Sequence, residues 1–258
     1  MGRRPREGLS GWVHRHTISP RWPQGPIRGR LMIPSNVFTR VLQVKVGDQT
    51  GTLFVGDVDG REYLITARHV LTDWDPERPI ELWHEGHWKP LGVVVVGMTD
   101  EAEDVVVLAT NVRLAPGLDL PLNANDLIWG QDVYFLGFPH GWRAEAAPEV
   151  NRGFPLPFVK KAILSAVHPQ GGVETYFLDG HNNPGFSGGP LVFKPPGTDR
   201  FKVAGIVTAF RYVDEPIYDG DQELPFVLRQ NTGIMVATGV SSALRLINAN
   251  PIGFALPA

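Results

Sequence analysis

The stretch NNPGFSGGPLV, residues 182–192, surrounds one serine, Ser187, with glycine and proline. Glycine and proline favour turns and disfavour helices, so the chain that continues through GGPLVF is expected to run on as a strand. An ordinary turn does not require so many small residues on both sides of one hydroxyl. The stretch therefore predicts a serine exposed on a tight turn of a β protein. It also raises the question of which group could activate that hydroxyl.

The composition agrees with a β-rich globular protein. The chain has 258 residues, of which 43% are hydrophobic and 20% are charged, enough to bury one large core or two small ones. Its 29 glycines and 23 prolines leave few long windows that favour a helix. They favour many short strands joined by turns.

Runs of β-favouring residues separated by turn residues fall into two groups of six. The first group comprises 38–46, 50–56, 62–67, 80–85, 88–98 and 104–110. The second group comprises 131–138, 158–168, 173–180, 190–193, 201–212 and 231–239. The proline-rich stretch PGLDLPLNAND at 116–126 is typical of a linker, and SSALRLINAN at 241–250 is typical of a short helix.

These groups predict an all-β fold of two six-stranded antiparallel barrels, with a cleft between the barrels and a C-terminal helix. The predicted organisation is an Arg/Pro-rich leader at 1–32, a first barrel at 33–115, a linker at 116–130, a second barrel at 131–240, and a C-terminal helix and tail at 241–258.

Charge is uneven along the chain. The first thirty residues carry seven arginines and one glutamate, a net charge of +6, whereas the remaining 228 carry 17 basic and 26 acidic residues, a net charge of −9. An arginine-rich arm could contact nucleic acid, but no helix-turn-helix, zinc finger or aromatic RNA-binding motif accompanies it, so a solvated or packed leader is the preferred interpretation. The chain has no cysteine, no apolar run of about 18 residues and no secretory signal pattern. These features predict a cytoplasmic protein without a membrane anchor.

Activation of Ser187 needs a base and a group that orients that base. His69 follows the predicted strand EYLITA, and Asp104 opens the apolar strand DVVVLAT, where a buried carboxylate needs a partner such as an imidazole. Residues 185–189, GFSGG, also fit the G-x-S-x-G turn of α/β-hydrolases. That fold requires a helix after the serine and a histidine later in the chain, whereas no histidine lies beyond His181. The expected chain order is therefore histidine, aspartate, serine.

Three segments together resemble a known family. TARHV at 66–70, EDVVVLA at 103–109 and GFSGGPLV at 185–192 are similar to the signature segments of chymotrypsin-like, trypsin-fold serine proteases, in the same order. The similarity is greatest to the bacterial members that lack cysteine. From sequence alone, Glu101 and Glu103 remain alternatives to the aspartate of the second segment.

The resemblance implies a role for each matching residue. His69 would act as general base and then general acid, Asp104 would orient its ring, and Ser187 would be the nucleophile that forms an acyl-enzyme. The backbone N–H groups of Gly185 and Ser187 would form the oxyanion hole. Thr208 would donate its hydroxyl hydrogen bond to the catalytic aspartate.

The resemblance also implies a position for the specificity pocket. His181 would lie at its base, with walls from Asn182, Asn183, Ala209 and Phe210. The acidic residue that gives trypsin its preference for Arg and Lys is absent at the base, and Phe210 replaces a residue that is usually glycine in a deep pocket. We therefore expect a shallow or polar pocket.

No metal or cofactor is expected. The acidic stretch DEPIYDGDQE at 214–223 is predicted to form a loop beside the cleft, and it could attract basic substrates or bind a cation through Asp219, Asp221 and Glu223. A solvated loop is the preferred interpretation, because the spacing fits no complete calcium loop. The two histidines of HEGH at 84–87 are expected to lie on the surface rather than to bind zinc.

The sequence therefore predicts a serine endopeptidase that acts on protein or peptide substrates. The alternative is a protease-fold binding or scaffold protein without turnover, although such proteins usually lose a member of the triad. Phe186 takes the position of the aspartate that pairs with the new amino terminus in zymogen-activated relatives. Control is therefore expected from substrate access, a regulatory protein partner or the leader.

Overall fold

The computed structural model describes residues 33–257, which form a mostly β structure. The predicted leader at 1–32 lies outside the described residues. Within them, fourteen strands are numbered in chain order. Their bounds are β1 Val41–Val46, β2 Gln49–Val58, β3 Arg61–Ala67, β4 Ile80–His84, β5 His87–Leu91, β6 Val94–Met98, β7 Val105–Ala109, β8 Asp132–Gly137, β9 Phe158–Gln170, β10 Val173–Asp179, β11 Pro190–Phe193, β12 Lys202–Asp219, β13 Gln222–Gly239 and β14 Phe254–Ala255.

Helical segments are short throughout the described part of the chain. They are α1 Ser35–Phe38, α2 Pro148–Asn151, α3 Ser241–Ala249 and the 3-10 turns Arg68–Leu71 and Pro139–Gly141. The predicted C-terminal helix is confirmed by α3, which buries Ala243 and Ile247 in the core. Among residues 33–257, no helix combines the length and the apolar character that crossing a membrane requires.

The first sheet is a half-barrel rather than a closed barrel. Its strand order is β5-β4-β1-β2-β3-β7-β6, β14 adds to β3, and the ladders are antiparallel. Across the described residues no ladder joins the two edge strands, β5 and β6, so the predicted closure of this sheet is not observed. The stretch 88–98, predicted as one strand, is interrupted at Gly92 and Val93. Because β5 then pairs with β4 while β6 pairs with β7, the path has seven strands instead of six.

The second sheet closes on itself. Its six strands follow the ring order β10-β13-β12-β11-β8-β9, all antiparallel, which agrees with the predicted count. β12 and β13 are 18 residues each and extend past the ring as a two-stranded ribbon that turns at Gly220. The prediction of a loop at 214–223 is therefore wrong. Asp214 pairs with Arg229 and Tyr218 with Glu223 as neighbouring strand residues.

Within residues 33–257, three clusters of buried side chains stabilise the sheets. One lies within the first sheet around Leu53 and Leu64, and another fills the closed barrel around Phe135 and Leu191. The third is shared: it contains Phe54, Ile65 and Val107 of the first sheet, Leu136, Val192 and Ile206 of the second, and Ala243 and Ile247 of α3. The two sheets therefore bury a common core, and the candidate site lies where they meet.

Candidate active site

His69 lies just after the end of β3, where the chain leaves the first sheet. The strand buries its last residues, including Thr66 and Ala67, and the chain then enters the 3-10 turn Arg68–Leu71. This change of direction takes the side chain of His69 out of the sheet, and its ring is 47% exposed.

Asp104 lies directly before β7 and faces His69. Its carboxylate Oδ1 accepts the backbone N–H of His69 at 2.8 Å, and Oδ2 lies 2.6 Å from His69 Nδ1. The carbonyl oxygen of Asp104 accepts the backbone N–H of Arg68 at 3.1 Å. Asp104 has φ of 56°, a left-handed conformation that aspartate tolerates better than most residues. One residue thus fixes both the backbone and the ring of the histidine.

The hydrogen bonds assign the proton on the ring. An ionised carboxylate can only accept, so Nδ1 of His69 carries the hydrogen that points at Asp104. Nε2 of the neutral ring is then an acceptor. An imidazole in this tautomer can take a proton through Nε2 while the carboxylate stabilises the resulting cation.

Neither of the neighbouring glutamates bonds to His69 in the described part of the chain. The carboxylate of Glu103 pairs with Arg245, and its carbonyl oxygen accepts the hydroxyl of Thr238. Glu101 is exposed. Of the three acidic candidates, only Asp104 contacts His69 within the described residues.

Ser187 lies on a turn packed between the segment that follows β8 and the first sheet. At Gly185, with φ of +101°, an added Cβ would be 2.3 Å from the carbonyl oxygen of Phe138. At Gly188, with φ of +84°, it would be 2.0 Å from the hydroxyl of Thr66. Only glycine combines these dihedral angles with such close approaches, which explains why small residues surround the serine.

The carbonyl groups of the serine turn are bonded, but two of its N–H groups are not. Thr52 of β2 donates its hydroxyl to Gly185 O at 2.7 Å and its backbone N–H to Ser187 O at 3.1 Å. Over the described range 33–257, the N–H groups of Gly185 and Ser187 have no acceptor. Two free amide donors two residues apart are what stabilisation of a developing oxyanion requires.

A single pocket brings these groups together. It has a volume of about 380 Å³, and its lining includes His69, Gly185, Ser187 and Thr208. Among the hydrogen bonds of the described residues, none joins His69 Nε2 to Ser187 Oγ. Such contacts are often long in a protein without substrate and shorten when a substrate is bound.

Thr208 lies at the site but bonds differently from the prediction. Its hydroxyl donates to the carbonyl oxygen of Val236 at 3.5 Å, along the β12–β13 ladder, and no hydrogen bond to Asp104 occurs in the described part of the chain. The carboxylate of Asp104 is instead held by the backbone and ring of His69.

The sequence of the region that holds His69, Asp104 and Ser187 matches a known family. Residues 49–194, more than half of the chain, match the profile described as a trypsin-like peptidase domain. The chain belongs to the trypsin-like peptidase family. It is accordingly a serine hydrolase of this type. No curated protein sequence matches it.

Solved structures show the same fold as this trypsin-like peptidase. Rv3671c from M. tuberculosis, in an inactive form with serine replaced by alanine, is 19% identical, with 83% of this chain and 88% of that chain covered and a TM-score of 0.52. The HtrA-type protease AlgW with a tripeptide is 23% identical, with a TM-score of 0.53. That match covers 83% of this chain and 61% of AlgW. At these identities the likeness concerns the fold alone.

Only part of the predicted specificity pocket lines the pocket of the trypsin-like peptidase. Ala209 and Phe210 do so, whereas His181, Asn182 and Asn183 are not among its lining residues. The backbone and side chain of Asn182 are used inside the fold, where its amide donates to Ala209 O at 3.3 Å. The pocket also includes Gln49, Thr50, Pro184 and Tyr212, which the sequence analysis did not single out.

A lysine that contacts residues next to Ser187 was not predicted from the sequence. Nζ of Lys160 in β9 donates to the carbonyl oxygen of His181 and, at 2.7 Å, to Asn183 Oδ1. Partial burial lowers the pKa of the Lys160 ammonium. The sequence carries no signal for this contact, because the adjacent Lys161 is chemically identical and points to the other face of the strand.

Proposed function

We propose that this trypsin-like peptidase is a serine endopeptidase that uses Ser187, His69 and Asp104 as a catalytic triad. In this proposal the half-barrel sheet serves as the first of two barrels and contributes the base, while the closed barrel contributes the nucleophile. The observation that carries the proposal is the attachment of His69 to both carboxylate oxygens of Asp104, on a pocket shared with Ser187.

The first half of the reaction forms an acyl-enzyme. Oγ of Ser187 attacks the carbonyl carbon of the scissile peptide, and its proton moves to Nε2 of His69. The carbonyl oxygen becomes an oxyanion, which accepts the free N–H groups of Gly185 and Ser187. The carbon–nitrogen bond then breaks, and the departing amine takes the proton from Nε2.

The second half releases the product. A water molecule attacks the acyl carbon while Nε2 of His69 takes one of its protons. The ester bond to Ser187 breaks, the serine oxygen regains the proton, and the carboxylic acid leaves. Asp104 stays ionised throughout and stabilises the imidazolium in both halves.

The alternative, a binding protein without turnover, draws on the missing hydrogen bond between His69 Nε2 and Ser187 Oγ. A fluorophosphonate probe separates the two functions, because it labels only a serine whose nucleophilicity is activated. We expect the wild-type protein to be labelled and Ser187→Ala to remain unlabelled. The matched control is Ser241→Ala, which removes an exposed serine at the start of α3 and should be labelled like the wild type.

Peptide turnover supplies the quantitative test. We expect Ser187→Ala to lower kcat/KM by about 10⁴-fold or more, with thermal stability unchanged.

A peptide-library profile identifies the substrate class. Phe210 and Tyr212 form the pocket wall, and none of the residues 33–257 that line it is acidic. Efficient cleavage after Arg would therefore contradict the expected shallow or polar pocket. A wild-type protein that neither reacts with the probe nor cleaves any peptide would favour the binding protein.

A further inference from the structure

Lys160 lies on the inner side of the closed barrel, near the serine turn. In the β8–β9 ladder it is paired with Phe135, a residue buried in the barrel core, and side chains of paired residues share a face. Its ammonium lies 5.6 Å from the centroid of the Phe186 ring, which is buried in the same core. Lys160 is partly buried, unlike most lysines, which extend into solvent.

The partners of this ammonium are neutral oxygens. Nζ donates to His181 O and to Asn183 Oδ1, and no carboxylate lies within ion-pair distance of it in the described residues. Its neighbour Lys161 instead forms an ion pair with Asp132 at 2.7 Å and is 54% exposed. Partial burial of a cation against neutral acceptors costs solvation free energy that no opposite charge offsets. Surface ion pairing therefore does not explain the position of Lys160.

The contacts of Lys160 bracket the turn that carries the oxyanion donors. Asn183 O accepts the N–H of Phe186 at 3.3 Å, which closes the four-residue turn containing Gly185. The ammonium thus contacts the chain two residues before the turn at His181, the first residue of the turn at Asn183 and the last at the ring of Phe186. A cation–π contact and two charge-assisted hydrogen bonds restrain this segment from the second sheet, in addition to the bonds that Thr52 makes to Gly185 O and Ser187 O from the first sheet.

We propose that Lys160 is a positioning residue for the oxyanion hole. Its ammonium holds residues 181–186 so that the N–H groups of Gly185 and Ser187 point into the pocket before substrate arrives. This inference rests on the proposed function, because it assigns a purpose to those donors. Lys160 does not line the pocket, so its charge acts on the turn and not on the substrate.

A kinetic comparison of three variants tests the proposal. Lys160→Met removes the ammonium and keeps the length of the side chain, Lys160→Arg keeps the charge, and Lys161→Met is the matched control on the same strand. The readouts are kcat and KM for a peptide from the library profile, the affinities of a peptide boronate and of the corresponding peptide amide, and the melting temperature. The boronate forms a tetrahedral adduct with the serine oxygen and needs the oxyanion donors, whereas the amide reports ground-state binding.

We expect Lys160→Met to lower kcat by about 10- to 100-fold and to weaken the boronate by a similar factor, with KM and amide affinity within about threefold of the wild type. Lys160→Arg should recover part of the loss, and Lys161→Met should match the wild type. Wild-type kcat in Lys160→Met would overturn the proposal. Equal losses of boronate and amide affinity, or a changed preference for acidic side chains at unchanged kcat, would also overturn it.

Two further results distinguish a folding defect, and a failure of the proposed function, from a failure of the role proposed for Lys160. If Lys160→Met is unfolded at the assay temperature, Asn183→Leu removes one acceptor and leaves the ammonium in place. Losses of kcat and boronate affinity in that variant would support the proposal, and wild-type values would overturn it. A wild-type protein without probe labelling or turnover would refute the proposed function and this inference together. An active wild type with an equally active Lys160→Met would refute the role of Lys160 alone.

Discussion

The orientation of a catalytic histidine depends on what holds its ring and its backbone. In this chain one carboxylate does both, because Asp104 accepts the backbone N–H and the Nδ1–H of His69 through different oxygens. Rotation of the ring would break one bond, and displacement of the turn would break the other. The orienting group therefore needs little further support, and the hydroxyl of Thr208 is free to serve the β12–β13 ladder through Val236.

This division of roles predicts the effect of removing the Thr208 hydroxyl. We expect Thr208→Val, which keeps the shape of the side chain, to leave kcat/KM for a peptide substrate within about fivefold of the wild type. Asp104→Asn is the contrasting variant and should lower kcat by about 10⁴-fold, because the amide favours the wrong tautomer of His69. A loss of about 100-fold or more in Thr208→Val would show that the threonine supports the aspartate in solution.

Among the elements, the ribbon formed by β12 and β13 beyond the ring differs most from the rest of the fold. Its strands are tied by cross-strand contacts, including a two-point ion pair between Arg229 and Asp214 at 2.8 and 2.9 Å, with the guanidinium 4.2 Å from the ring centre of Tyr212. Its large apolar residues face solvent, and Phe226 is 66% exposed. Such pairs hold two strands in register but bury little apolar surface.

The exposure of the ribbon predicts that it adds little to stability. We expect replacement of residues 214–229 by an Asn-Gly turn, which joins the paired residues Val213 and Gln230, to change the melting temperature by less than about 3 °C. Hydrolysis of short peptides should persist, because Phe210 and Tyr212 remain. In the ring portion of the same strand, Ile206→Ala should cost about 2–5 kcal/mol of unfolding free energy. A large loss of stability on trimming would show that the ribbon packs against other parts of the protein.

The ribbon also shows where sequence reasoning about elements succeeds and fails. Runs such as 173–180 alternate β-favouring residues between turns, and they appear as strands with nearly the predicted bounds. The stretch 214–223 is rich in acidic residues and contains Pro216, so its intrinsic preference opposes a strand. Pairing with a partner 15 residues away, as between Asp214 and Arg229, overrides that preference, and no local window contains this information.

In the candidate site, too, residues marked by a local sequence pattern could be predicted, and residues placed by distant contacts could not. His69, Asp104 and Ser187 could be selected because each lies in a short segment whose order and local pattern are visible in the chain. Lys160 could not be selected over Lys161, since the choice depends on which of two adjacent residues faces the barrel interior. That orientation depends on the register of β9 against its neighbouring strands, and the register is set by residues far away in the sequence.

For the molecule as a whole, the serine turn is part of the contact between the two sheets. Thr52 of the first sheet bonds the turn through Gly185 O and Ser187 O, and its hydroxyl also accepts the N–H of Phe138 at 3.1 Å. The shared core lies beside these contacts. The geometry of the site and the packing of the two sheets are consequently coupled, so a change at the contact should affect stability and activity together.

Two glycines with similar backbone conformations test this coupling. Gly188, with φ of +84°, would place an added Cβ 2.1 Å from Thr52 O in the first sheet. At Gly197, with φ of +74°, an added Cβ would have no atom of the described residues within 4 Å. Gly197→Ala should therefore cost only the conformational penalty of about 1–2 kcal/mol. Gly188→Ala adds a clash with backbone that cannot move without separating the sheets, so we expect at least about 2 kcal/mol more loss of unfolding free energy in urea. Because the same displacement moves Ser187 relative to His69, the folded fraction of Gly188→Ala should also lose peptidase activity, whereas Gly197→Ala should retain it. Equal stability of the two variants, or full activity of Gly188→Ala, would show that the turn and the first sheet are not coupled in this way.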